Sequence, residues 1–162
     1  MSVQELAYLA GILDSEGSVM IKRSVYRMKN DCINPTYTPR VQVKMSDERP
    51  LLMFKQIFKG YLNKAGKIYS GDRSFKSNKI LYVYGAEHQI AYNILFQLLP
   101  YLIIKKEQAK LALGIYSLKQ THQRYVKGIR YSIPYPKELF NKMHESYIQV
   151  KKLNGSRYLE NV

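Results

Sequence analysis

The run Leu9-Ala10-Gly11-Ile12-Leu13-Asp14-Ser15-Glu16-Gly17 changes character halfway along. Its first part is apolar, and with Leu6 it puts Leu9, Ala10 and Leu13 on one helical face. Its second part is two carboxylates around a serine, closed by glycine, which is turn chemistry. Upstream, Ser2 with Glu5 three residues later makes a capping box, so a helix is predicted over residues 3–13. Downstream, Val19 and Ile21 alternate with Met20, Lys22 and Ser24, the signature of a strand with one apolar and one basic-polar face. Gly11 inside the helix costs about 1 kcal/mol relative to alanine. Together with Ala7 and Ala10 it suits a second helix approaching closely, and it equally suits tight packing on the chain's own sheet.

Working outward, residues 40–45 give the clearest strand: Val41, Val43 and Met45 point one way and Arg40, Gln42 and Lys44 the other. Asn34-Pro35 and Pro39 make residues 29–39 read as a long hairpin connection. Ser46 or Asp47, with Pro50 in the first turn, starts a helix that ends near Gly60. Residues 67–70 and 79–84 predict a second hairpin around the loop 71–74, with Leu81 and Val83 on one face and Tyr82 and Tyr84 on the other. Helices follow over about residues 87–98 and 105–118, and Pro136 opens a last one that Asn154-Gly155 ends. The order helix-strand-strand-helix-strand-strand-helix suits an α+β fold, with an antiparallel sheet covered by helices on one face and open on the other.

The 162 residues carry 26 Lys+Arg against 12 Asp+Glu, a net charge of +14 divided evenly at +7 per half, so the charge belongs to the fold and not to a tail. Such a field concentrates polyanions and makes nucleic acid the leading partner. No window approaches the roughly 18 apolar residues of a membrane span, and Glu5 interrupts the first apolar stretch, so no membrane partner and no cleavable export signal are expected. A single cysteine, Cys32, excludes an intrachain disulfide and every Cys-rich zinc pattern. His88, His122 and His144 are too scattered to predict a shared metal site.

The quoted run resembles the motif that names the LAGLIDADG homing endonucleases: eight of nine positions match by identity or close substitution, with Ser15 the loosest. Residues 100–109, Pro-Tyr-Leu-Ile-Ile-Lys-Lys-Glu-Gln-Ala, are similar to that family's later segment carrying a proline, a lysine and Gln-Ala. The resemblance implies one domain over residues 1–162 with an αββαββα core, about residues 2–118, and a helical extension over residues 119–162. It implies a saddle-shaped sheet seated on double-stranded DNA. One copy of the motif implies a homodimer, with Ala7, Ala10, Gly11 and Asp14 at the helix seam. The family's genetic setting implies an organelle or a microbial cytoplasm.

The implied activity is site-specific cleavage of both strands of a long near-palindromic target by metal-dependent phosphodiester hydrolysis. In that scheme Glu16 and the backbone carbonyl of Ser15 hold Mg²⁺, with Mn²⁺ or Ca²⁺ as other occupants, because hard cations take oxygen ligands. Lys105 stands where the family has its catalytic lysine, while Asp14 is the structural member of the acidic pair. Met45 stands where the family often has a water-orienting glutamine, so Gln42, Lys44 and Ser46 are the nearby polar candidates for that role, Lys44 on the polar face first among them, and Arg49 is placed to contact the phosphate. The DNA-reading set is Lys22, Ser24, Tyr26, Arg40, Gln42, Lys44, Lys67, Tyr69, Tyr82 and Tyr84, side chains that reach phosphates and base edges. The same scaffold admits two rival uses: an intron maturase holding RNA, and a DNA-binding protein without catalysis.

Overall fold

The computed structural model describes residues 2–27, 33–65, 80–122 and 135–155. Helix α1, Val3–Glu16, opens on the expected capping box: Ser2 Oγ accepts from the Glu5 amide at 3.2 Å and the Glu5 carboxylate accepts from the Ser2 amide at 2.7 Å. That amide hydrogen bond holds the Glu5 carboxyl below its usual range. The helix continues three residues beyond the expected end, so Asp14, Ser15 and Glu16 remain helical. The Gly17 amide closes on Leu13 O, and the chain passes straight into strand β1, Gly17–Arg27.

Strand β2, Ile33–Met45, pairs antiparallel with β1 along its whole length, from Gly17 opposite Val43 to Arg27 opposite Ile33. It therefore includes residues 33–39, which the prolines had marked as a connection. The physical reason lies on the other edge of β2. Strand β4, Leu81–Glu87, reaches β2 only between Arg40 and Met45, so among the described residues Pro35 and Pro39 sit where that edge has no neighbouring strand to ask for an amide hydrogen.

Helix α2, Arg49–Phe58, carries Pro50 in its first turn, and the Asp47 carboxylate accepts from the Arg49 amide at 3.0 Å. Lys59 (φ 69°) and Gly60 (φ 90°) then turn the chain into strand β3, Tyr61–Ala65. A Cβ at position 60 would lie 2.8 Å from the Gly85 carbonyl oxygen and 2.9 Å from the Tyr84 hydroxyl, so both backbone angle and space call for glycine there. The partner of β4 is thus Tyr61–Ala65, a run with no clear alternation. The strand expected at 67–70 and its loop at 71–74 lie outside the described residues. Helices α3, His88–Leu98, α4, Lys106–Gln120, and α5, Lys137–Leu153, begin and end close to expectation.

The sheet order is β1-β2-β4-β3, all antiparallel. Val19, Ile21, Tyr37, Val41, Val43, Tyr84 and Ala86 lie on the face that meets the helices, and their burial with Leu9, Leu13, Phe54, Leu95 and Ile115 forms the core. Helix α5 covers the part of the β1–β2 hairpin that β4 does not reach. There Tyr37 is fully buried, its hydroxyl 2.7 Å from His144 Nδ1 and its ring packed against Phe140 and Tyr147. Asn154, just past α5, donates to Val19 O at 2.9 Å. No helix among the described residues is long and apolar enough to cross a membrane.

Register overturns one expectation. Tyr84 lies opposite Val43 and Tyr82 opposite Met45, both on the helix-covered face, so neither belongs to the open surface assigned to them. Tyr84 is fully buried, stacked on Phe54 with ring centroids 5.2 Å apart, and its hydroxyl donates to Lys59 O at 2.8 Å. Tyrosine fits a core when its single polar atom finds such a partner, and burial drives the phenol's pKa up. Tyr82 is half-buried against the same cluster.

Candidate functional site

The carboxyl end of α1 brings three sequence-predicted residues together. Asp14 is 9% exposed, and its carboxylate accepts three consecutive backbone amides: Ile103 at 2.7 Å, Ile104 at 3.2 Å and Lys105 at 2.9 Å. In return, Lys105 Nζ donates to Asp14 O. The last turn of α1 contains no basic side chain, so this ammonium supplies the positive charge that the negative end of a helix dipole favours. Asp14 thus joins the end of α1 to the start of α4, and Lys105 is held at the motif by a residue far away in sequence.

Glu16 differs from Asp14 in every respect. It is exposed, and among the described residues its carboxylate has no hydrogen bond or ion pair. The Ser15 side chain turns back on the helix, donating to Gly11 O at 3.0 Å and Ile12 O at 3.3 Å, which leaves its backbone carbonyl in the final turn, where intrahelical partners run out. Among the described residues no three His, Cys, Asp or Glu side chains converge. A single chain therefore offers a hard cation one carboxylate and nearby carbonyl oxygens. That donor set suits Mg²⁺, Mn²⁺ or Ca²⁺ in chemistry and remains open for phosphate and water oxygens.

Lys44 and Arg49, the other two residues considered for catalysis, lie on different elements, β2 and α2. Lys44 is exposed on the open face of β2 opposite Val83. Arg49 is bound to Asp47, Nη2 to Oδ2 at 2.5 Å, and this hydrogen bond holds the Asp47 carboxyl down at about 2.

The open face of the sheet carries Lys22 and Ser24 from β1 and Arg40, Gln42 and Lys44 from β2, as the alternation predicts. Tyr26 lies near the far end of β1, opposite Asn34, while Lys67 and Tyr69 fall outside the described residues. The structure adds two residues that the sequence did not single out. Glu87 of β4 pairs with Lys22 Nζ at 3.3 Å and Arg40 Nε at 3.5 Å, and Arg40 Nη2 donates to the Tyr61 hydroxyl at 3.1 Å. Tyr61 reaches Arg40 by lying across Gly85, where a Cβ would fall 2.2 Å from its ring. A glycine within a strand marks such close approaches and was the available signal.

The small residues of α1 divide. Ala10 is fully buried within the chain's own core, and Asp14 is engaged as described. Ala7 and Gly11 are exposed, as is Tyr8 at 48%, and nothing lies within 4 Å of where a Gly11 Cβ would be. His88 and His122 line one cleft with Tyr116, whereas His144 packs beneath Tyr37.

No protein-family model matches the chain, and no curated protein does. Solved structures do. The homing endonuclease I-CvuI, in complex with its target in the presence of Ca, superposes with a TM-score of 0.65 at 19% identity, over 93% of this chain and 82% of that one. The group I intron-encoded homing endonuclease I-CeuI, complexed with DNA, gives 0.65 at 15% identity over 97% and 70%. The LAGLIDADG homing endonuclease I-GzeII, in complex with a DNA target, gives 0.54 at 18% identity over 90% of this chain and 43% of that one. With α1 leading directly into a four-stranded antiparallel sheet backed by helices, this chain has the fold of the LAGLIDADG homing endonucleases.

Proposed function

We propose that this chain is one nuclease domain of the homing type, which as a homodimer cuts both strands of a long, near-palindromic DNA duplex with the help of a divalent cation. The observation that carries this reading is the division of labour at the end of α1. Asp14 is fully engaged in holding residues 103–105, while Glu16 beside it is accessible and uncommitted. A carboxylate kept free at a helix end that also receives an ammonium, on a protein of charge +14, suits contact with a phosphodiester.

In this mechanism Glu16 and the Ser15 carbonyl hold the cation, with Mg²⁺ the first choice. When bound, the ion supplies charge neutralisation at the scissile phosphate and a water of lowered pKa. The chain's own residues do the rest. Lys105 holds a positive charge beside the reacting group, and Asp14 positions it. The open face, with Lys22, Ser24, Gln42 and Lys44, holds backbone and base edges so that one phosphate is presented to each Glu16. Duplex DNA as partner is supported by the DNA complexes of I-CvuI, I-CeuI and I-GzeII.

A twofold assembly is supported by one fact: among the described residues, nothing covers the face of α1 that bears Ala7, Tyr8 and Gly11. A closed pair about that face makes each copy read half of a near-palindrome.

The experiment is incubation of the protein with a duplex library and Mg²⁺, with double-strand breaks as readout. The expected result is cutting at a defined site by the native chain, with cutting reduced about 100-fold or more in Glu16→Gln while affinity for the site persists. Equal cutting by the variant overturns the role of Glu16. A monomer on gel filtration in the presence of the DNA site overturns the twofold arrangement.

A further inference from the structure

Among the described residues, Arg40 is the most constrained cation on the open face. Its side chain is 28% exposed. Three neighbours fix it: the Tyr61 hydroxyl accepts from Nη2 at 3.1 Å, Glu87 Oε1 lies 3.5 Å from Nε, and Lys22 sits on the other side of the same carboxylate at 3.3 Å. The Tyr61 ring can take this position only because residue 85, directly across the strand pair, is glycine. Nε is buried without a hydrogen-bond partner, so the guanidinium is held by its flank, and among the described residues its Nη1 end makes no hydrogen bond. Lys44, by contrast, is exposed and Arg49 faces its own neighbour Asp47.

We propose that Arg40 is the specificity-determining residue of the sheet, reading one guanine in each half of the DNA site, with Tyr61 and Glu87 as its positioning residues. The proposal rests on the DNA-binding reading given above and names the chemistry that reading leaves open. A guanidinium presents only donors, in a fixed plane. In the major groove guanine alone offers two adjacent acceptors, O6 and N7, whereas adenine and cytosine present an amino donor and thymine a methyl group. An arginine whose flank is already bound loses little conformational freedom when its free end meets that pair. Glu87 shares its charge between two cations, so the cluster keeps a net positive charge toward the polyanion. The same carboxylate keeps Arg40 from swinging out to a phosphate, where it would bind every sequence equally.

The test uses the full chain, with Ca²⁺ as cation and binding as readout, so that cleavage does not enter. A randomised duplex library first yields the preferred site of the native protein, and each position is then substituted. Arg40→Ala is expected to lose a preference for guanine of roughly tenfold to a hundredfold at one position per half-site, with the other positions unchanged. Arg40→Lys keeps the charge and the salt dependence yet does not restore the preference, because a point charge lacks the fork. Gly85→Ala displaces the far end of the Tyr61 side chain and, like Tyr61→Phe, weakens the same preference several-fold without touching Arg40 itself. An unchanged preference in Arg40→Ala overturns the proposal. So does a uniform loss of affinity over all sequences with a shallower salt slope, which identifies a phosphate contact. A native chain that selects no sequence and shows no salt-dependent binding defeats instead the parent reading of a DNA partner.

Discussion

At Asp14 two carboxylate oxygens receive three amide hydrogens while the same residue's carbonyl receives the Lys105 ammonium. Removing the carboxylate strands those amides at a site that is nearly closed to water. Asp14→Ala is therefore expected to destabilise the fold by about 1–3 kcal/mol in urea unfolding, where a surface acid would change it by about 0.5 kcal/mol or less. Glu16→Ala is the comparison, since Glu16 has no partner to lose, and it should unfold at the native urea concentration. Equal stability of all three proteins would mean that the clasp contributes nothing. The placement of these residues was legible at this scale: two acids two residues apart at a helix end, with Lys105 expected nearby. What spacing alone did not tell was which oxygens Asp14 engages, because the amides come from residues 103–105 and nothing local announces them.

At the scale of the element, α1, α2 and the three later helices were legible from periodicity, caps and Pro50, since those signals are local. The strands were less so. Pro35 and Pro39 disguised half of β2, and only its missing neighbour on that side explains why they are tolerated. In β4 Leu and Val alternate with Tyr, and both sets can be buried; the choice fell to Tyr82 and Tyr84 because Phe54 and Lys59 O were there to receive the latter. Helix α1 yields a prediction of its own. With open space beside Gly11, Gly11→Ala should stabilise the isolated chain by about 1 kcal/mol, read as a raised melting temperature in dilute solution. The same methyl group at a close helix seam should weaken self-association, read by sedimentation equilibrium. Stabilisation with unaltered association would remove α1 from the interface.

At the scale of the whole molecule, the charge of +14 is spread over both halves, and the sheet's open face carries Lys22 and Arg40 paired with Glu87, with Lys44 farther along β2 opposite Val83. Counterion release then requires the logarithm of affinity for a duplex to fall linearly with the logarithm of salt concentration. A fall of about a thousandfold or more between 50 and 200 mM salt is expected for six or more phosphate contacts, measured by fluorescence anisotropy. A flat response would mean that the field plays no part in binding. Charge was legible from composition alone. Its placement on one face was legible in β1 and β2, while the ion pairs with Glu87 depend on a register between distant strands.

The clasp between Asp14 and residues 103–105 also imposes an order of events during synthesis. A nascent chain that has emerged only through its first four strands has no partner for the Asp14 carboxylate and no amine at the end of α1. Domains form as their later segments leave the ribosome. That end of α1 is hence completed only once residues 103–105 have emerged, so a chain released before them carries Glu16 without the Lys105 ammonium at the helix end.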